Sequence, residues 1–261
     1  MKHRDFGHMD GSVVLFGGPY SNLQAMEALV REINGRDAVC TGDIVAYCAQ
    51  PNETLRVFSE HGYSCVAGNC EAQLIENAED CGCGFEARSA CDVLSDGWWR
   101  HLRSGLDPAF LPFLEALPDI GSFVHQGRRY AVIHGGVRDI SQFIWPSSPE
   151  ATFRAVIADV EAEIGAVNGI VAGHCGMAFH RVIGDHQFIN TGAIGMPPHD
   201  ARPETRYVVL ENGEVTVHRL GYDHPAARGR MEEAELTQGY HETLSSGVWP
   251  SEDVLPSELR R

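Results

Sequence analysis

Three short apolar runs in the first 70 residues are each followed within two positions by glycine, and amphipathic stretches separate them. That alternation is the order that builds a parallel α/β sheet. Ser12-Val13-Val14-Leu15-Phe16 closes on Gly17-Gly18-Pro19 and reads as a buried strand. Leu23, Met26, Leu29, Val30 and Ile33 then recur at helical spacing, with Gly35 as a stop. Ala38-Val39-Cys40 starts a second strand, and a helix opened by Pro51 carries Leu55 and Phe58 on one inward face. Tyr63 to Val66 gives a third strand. In such a sheet the loops at the strand C-termini are the natural place for a site.

Residues 71 to 118 break the pattern. They contain no strand signal, a turn at Cys81-Gly82-Cys83-Gly84, the pair Trp98-Trp99 and helical pieces such as Phe110 to Leu117. We read them as a helical insertion that could cap the site. Trp98 and Trp99 either stack on a nucleobase or pack the cap, and packing is the plainer role. From Ser122 the strand pattern returns. Ser122 to Gln126 and Arg129 to His134 form a hairpin turned at Gly127. A helix over about 150 to 165 leads to the strand Gly169-Ile170-Val171-Ala172, and His180 to Gly184 pairs with Gln187 to Asn190. Tyr207 to Glu211 and Glu214 to Leu220 flank Asn212-Gly213, the signature of a type I′ hairpin. The expected organisation is one domain over 1–235 with the insertion at about 71–118, then a polar, loosely held C-terminal tail over 236–261.

At 261 residues and 43% hydrophobic, the chain can build one substantial core. Its net charge of −16 argues against a general nucleic-acid binder, which needs a basic face. A small phosphate ester stays open, because a bound cation reverses the local field. No run of about 20 apolar residues is present to span a membrane. Met1-Lys2-His3-Arg4-Asp5 lacks the apolar stretch of an export signal. With no such signal, the eight cysteines read as reduced thiols and the protein as cytoplasmic. Oligomeric state is left open.

Asp43, Asn69, His134 and His174 each fall just past an expected strand. Each type alone has a bland role: an Asp there caps helices, and a His there hydrogen-bonds locally. Together, a carboxylate, an amide oxygen and two imidazoles suit one Mn, Fe or Zn ion. The ordered set Gly42-Asp43, Gly68-Asn69-Cys70-Glu71, His134-Gly135 and Gly173-His174 resembles the calcineurin-like metallophosphoesterase superfamily. The likeness is to its YfcE-like and diadenosine-polyphosphatase-like bacterial branch, over about residues 12 to 225. Phe179-His180-Arg181 and Ile189-Asn190-Thr191-Gly192 support it.

The resemblance implies a four-layer α-β-β-α sandwich of two mixed sheets with a helical cap. It also implies two metals sharing Asp43, one of them completed by Asn69, His134 and His174. The other metal loses three of its four ligands, since Gly18, Tyr20 and Gly176 stand where the family has Asp, His and His. Cys70 stands where the family has a histidine acid, and Glu71 at the position of its orienting carboxylate. Losing a positioned acid costs about 10²–10⁴-fold in rate. One divalent ion is therefore expected and a second is not. Cys70, Cys175, His180, Tyr20, His3 and His8 are the side chains that could rebuild a ligand set. Arg138 could hold a phosphate or simply pair with an acidic neighbour. Two functions follow from the resemblance. One is a phosphoesterase acting on a small phosphate ester or nucleotide through the retained half-site. The other is a non-catalytic nucleotide- or partner-binding protein on the same fold.

Overall fold

In the computed structural model, which describes residues 1–86 and 88–261, the chain opens with strand β1 (His3–His8) and enters the core at β2 (Val13–Phe16). All four β2 side chains are buried because its two faces meet different layers. Val13 and Leu15 join Val39, Val66, Tyr130, Val132, Val171 and Ile189 between the two sheets. Val14 and Phe16 face outward onto Met26, Leu29 and Phe58. A two-residue side-chain period between two apolar layers is why the run carries no polar residue.

The helices α1 (Leu23–Ile33) and α2 (Pro51–His61) alternate with β3 (Ala38–Cys40) and β4 (Ser64–Cys65), and β2, β3 and β4 pair in parallel. The insertion holds α3 (Asn69–Ile75), α4 (Ala90–Gly105) and α5 (Leu111–Glu115). Next come the hairpin β5 (Ile120–His125) and β6 (Arg128–Val132), helix α6 (Glu150–Ile164) and strand β7 (Gly169–Ala172). A second hairpin joins β8 (Ala178–Ile183) to β9 (His186–Thr191), and a third joins β10 (Thr205–Glu211) to β11 (Glu214–Leu220). Asn212 and Gly213 both take positive φ, +51° and +79°, as a type I′ turn requires.

One sheet runs β1-β5-β6-β7-β9-β8 and the other β11-β10-β2-β3-β4. Each contains parallel and antiparallel pairs. Helix α6 covers the first sheet through Phe153, Val156 and Val160, while α1 and α2 cover the second. The order of layers is α-β-β-α, as expected. The C-terminal ends of β2, β3, β4, β6 and β7 carry the loops that make the site. No helix among the described residues is long and apolar enough to cross a membrane.

Three local expectations change. Strand β1 was not anticipated, because His3-Arg4-Asp5 lacks an apolar period; it is an exposed edge strand paired in parallel with β5. The third strand shortens to two residues. The tail over 236–261 is not loosely held. After α7 (His224–Glu233) it forms α8 (Tyr240–Ser246), buries Leu236, Leu244 and Leu255, and turns back over the strand ends. The sparse apolar residues of that tail are anchors, which its overall polarity concealed. Trp98 and Trp99 are buried within the insertion and its neighbours, so they pack.

Leu244 is fully buried against the α1 side of the core. Leu244→Ala is expected to cost about 2–5 kcal/mol of unfolding free energy in a urea titration. A loosely held tail would leave the midpoint unchanged.

Candidate metal centre

Glu71, in the first turn of α3, has no solvent exposure, yet its carboxylate is saturated by backbone. Oε2 accepts from the Asp43 N–H and the Gly68 N–H, both at 2.8 Å, and Oε1 accepts from the Val45 N–H at 3.2 Å. The carboxylate thus ties the loop after β3 to the start of α3. That loop is tight: Gly42 and Asp43 have φ of +95° and +55°, and a Cβ on Gly42 would stand 2.5 Å from the Gly68 nitrogen. Burial first, and the Asp43 charge second, push the Glu71 carboxyl up to about 7, against the pull of the N–H donors. Glu71 is a positioning group, facing backbone and not the cavity.

Asp43, Asn69 and His134 are each oriented by a neighbour. The Thr41 carbonyl can only accept, so the proton of its 2.6 Å bond to His134 belongs on Nδ1. His134 Nε2 is thereby left to the site. The Cys81 carbonyl likewise takes the Asn69 Nδ2 donor at 2.9 Å, which turns Oδ1 toward the site. Asp43 Oδ1 accepts from the Cys70 N–H at 3.2 Å, leaving Oδ2 free. Around His134 Nε2 then stand Asn69 Oδ1 at 3.0 Å, His174 Nδ1 at 3.1 Å and Asp43 Oδ2 at 3.3 Å.

Four such atoms facing inward call for a cation or a shared proton among them. The ligand atoms of Asp43, His134 and His174 all lie within 4.8 Å of one another, so they could share a cation. Without one, a proton must serve. Burial opposes charge on His134, but the adjacent Asp43 outweighs it and raises the pKa. Burial, then the neighbouring His134, lowers His174 to about 3. Burial disfavours the Asp43 carboxylate as well, yet His134 prevails and holds its pKa below the ordinary value. The Ser141 and Cys83 carbonyls face the His174 ring without completing a hydrogen bond to Nε2.

The opposite half of the centre is filled by aromatic rings. A Cβ on Gly18 would lie 2.6 Å from the Tyr20 ring, and one on Gly176 would lie 3.4 Å from the Trp249 indole. Tyr20 folds over Gly18, and Trp249, from the tail, stands over Gly176. The Tyr20 ring meets Tyr47 edge-on at 4.8 Å.

The other sequence candidates lie elsewhere or stay inert. Arg138 is exposed and pairs with Asp159 at 2.7 Å, so the phosphate contact considered for it gives way to a surface ion pair. Cys70 is fully buried, and burial followed by the Asp43 charge raises its thiol pKa. It is in no position to replace a proton-donating histidine at the cavity. Burial pushes Cys175 up to about 12. His3 bonds to Ser122 and His8 pairs with Val124, both on β1, while His180 is exposed on β8. Among the described residues none of these joins the cluster. Cys81 and Cys83, for which a turn was expected over metal binding or oxidation, bring their sulfurs together across Gly82. Thr41 and Trp249 escaped the sequence reading, since a backbone carbonyl and a residue 73 positions beyond Gly176 carry no local signal.

Residues 12–214 match the sequence profile of the calcineurin-like phosphoesterase superfamily domain. The uncharacterized protein MJ0912 of Methanocaldococcus jannaschii is 24% identical over 241 residues, covering 87% of this chain and 95% of its own length. A metallophosphoesterase from Sphaerobacter thermophilus superposes with a TM-score of 0.72 at 21% identity, over 92% of this chain and 100% of that one. Hypothetical protein PH1004 from Pyrococcus horikoshii gives 0.74 at 16% identity, over 92% and 99%. At these identities the structural likeness speaks for the fold alone.

Glu71→Ala would orphan three buried N–H groups, at roughly 1–3 kcal/mol each, so a loss above about 3 kcal/mol is expected in chemical denaturation. Glu71→Gln, which keeps an acceptor, should lose less; equal losses would remove the positioning role. Gly18→Asp alone should destabilise by about 2 kcal/mol or more through its clash with Tyr20. Adding Tyr20→His should recover most of that, and simple additivity in the double-mutant cycle would show that the ring is not what fills the site.

Proposed function

Because the chain belongs to the calcineurin-like phosphoesterase superfamily, we propose that it is a weak phosphoesterase working with one divalent ion. On this reading Asp43, Asn69, His134 and His174 hold Mn, Fe or Zn, and the substrate is a small phosphate ester or a nucleotide. The observation that carries it is the convergence of three further lone-pair atoms within 3.3 Å of His134 Nε2. The donors fit a borderline divalent cation in number and type. When bound, the ion would polarise a phosphoryl oxygen and lower the pKa of a water.

The chain's own residues do the rest. The Thr41 carbonyl fixes the His134 tautomer, the role that outer hydrogen bonds play for ligating histidines. Glu71 fixes the spacing of Asp43 and Asn69. The surrounding rings make one side of the site apolar, which strengthens charge interactions inside. No group replaces the family's proton-donating histidine, since Cys70 is buried and its thiol stays protonated. A substrate with a good leaving group needs such an acid least.

A second reading, a binding protein without turnover, is favoured by the filling of the other half-site by Tyr20 and Trp249. Hydrolysis of bis(p-nitrophenyl) phosphate with added Mn²⁺ separates the two. Slow, saturable turnover that chelator abolishes and His134→Ala lowers at least about 100-fold is expected of the enzyme. One bound ion with no turnover of this ester or of p-nitrophenyl phosphate would assign the chain to the second reading.

A further inference from the structure

The retained centre opens into a chamber of about 60 Å³ with an unusual lining. Tyr20, Tyr47, Phe85, Phe143, Tyr240 and Trp249 all face it. Among its described lining residues there is no lysine, arginine, asparagine or glutamine, and the one carboxylate is Asp43. The indole Nε1 of Trp249 is already committed to the Pro197 carbonyl at 2.7 Å, which leaves the ring surface for the chamber. Phe85, Phe143, Tyr47, Tyr240 and Trp249 are partly exposed, so the chamber communicates with solvent between them.

Size, charge and hydrogen bonding select the occupant. The volume accommodates roughly four to six water-sized positions, enough for a trimethylammonium head. Amide and guanidinium groups, which read a nucleobase edge most specifically, do not face the chamber; its side-chain donors are the tyrosine and Ser251 hydroxyls and His174. A phosphate in the box itself would meet aromatic faces and a carboxylate. An organic cation meets aromatic side chains on most sides and no lysine or arginine, while Asp43 belongs to the ion when one is bound. A methylated ammonium also has few or no N–H donors to leave unsatisfied, so its burial costs less than that of a primary amine.

We propose that this aromatic chamber binds a methylated ammonium group, and that the substrate is a phosphate ester whose alcohol carries one. The second half rests on the phosphoesterase reading; the first does not.

Phosphocholine and its neutral isostere 3,3-dimethylbutyl phosphate test it, because their phosphates are identical and any ion contact cancels. Calorimetric titration of the full chain with Mn²⁺ is expected to show phosphocholine bound at least about tenfold tighter. Phosphoethanolamine, with a primary ammonium, should bind more weakly than phosphocholine. Trp249→Leu should narrow the ratio to below about threefold. Hydrophobic burial alone favours the neutral ester, so equal affinity, a preference for the isostere, or no binding by either overturns the inference. Phosphate release is scored in the same samples. Preference without release keeps the ammonium site and overturns this substrate, leaving the hydrolytic reading to the nitrophenyl esters, whereas release without preference overturns the ammonium site.

Discussion

A single buried carboxylate sets the geometry on which the rest of the site depends. Glu71 gathers N–H groups from Asp43, Val45 and Gly68 and so locks the β3 loop against the start of α3. Asp43 and Asn69 sit on those two segments. Their side chains can reach one point only because the backbones beneath them are fixed. Thr41 extends the lock across the sandwich: its carbonyl holds His134, and its hydroxyl bonds Thr191 at 3.0 Å. Gly17 and Gly173 are required beside it, since a Cβ on either would stand within 2.4 Å of that hydroxyl. Three N–H donors offset part of the cost of burying the Glu71 charge, and burial with the nearby Asp43 still holds its carboxyl up at about 7.

The other half of the centre follows a different physics. Where a second ion would need carboxylate and imidazole ligands, the chain supplies Gly18, Tyr20 and Gly176, and two rings take up the volume. The replacement is coherent, because the small residues make the room that Tyr20 and Trp249 fill. The retained half-site is then flanked by rings, which shapes what can approach it.

Much of this was legible in the sequence, and the exceptions share a cause. The β2 run, the Asn212-Gly213 turn and the Gly-terminated strands announce themselves through local periodicity and turn chemistry. Asp43, Asn69, His134 and His174 were found because each follows a strand, and parallel strands bring their C-terminal ends together. Strand β1 was missed because an exposed edge strand needs no apolar period. The docking of the tail was missed because Leu236, Leu244 and Leu255 are too widely spaced to make a pattern. Glu71 was placed as an orienting carboxylate, but residue type cannot tell that what it orients is backbone, through three N–H donors. Trp249 over Gly176 is a contact between distant segments, and only the fold brings them together.

Whether the half-site holds one ion in the place described is the central point, and anomalous diffraction from Mn²⁺-soaked crystals addresses it most directly. One anomalous peak is expected, bounded by Asp43, Asn69, His134 and His174, with Tyr20 still folded over Gly18. A second peak on the Tyr20 side would contradict the aromatic replacement. No peak at all would mean that the convergent lone pairs are satisfied by a proton on His134, and that the chain keeps the fold of a metalloenzyme without its metal.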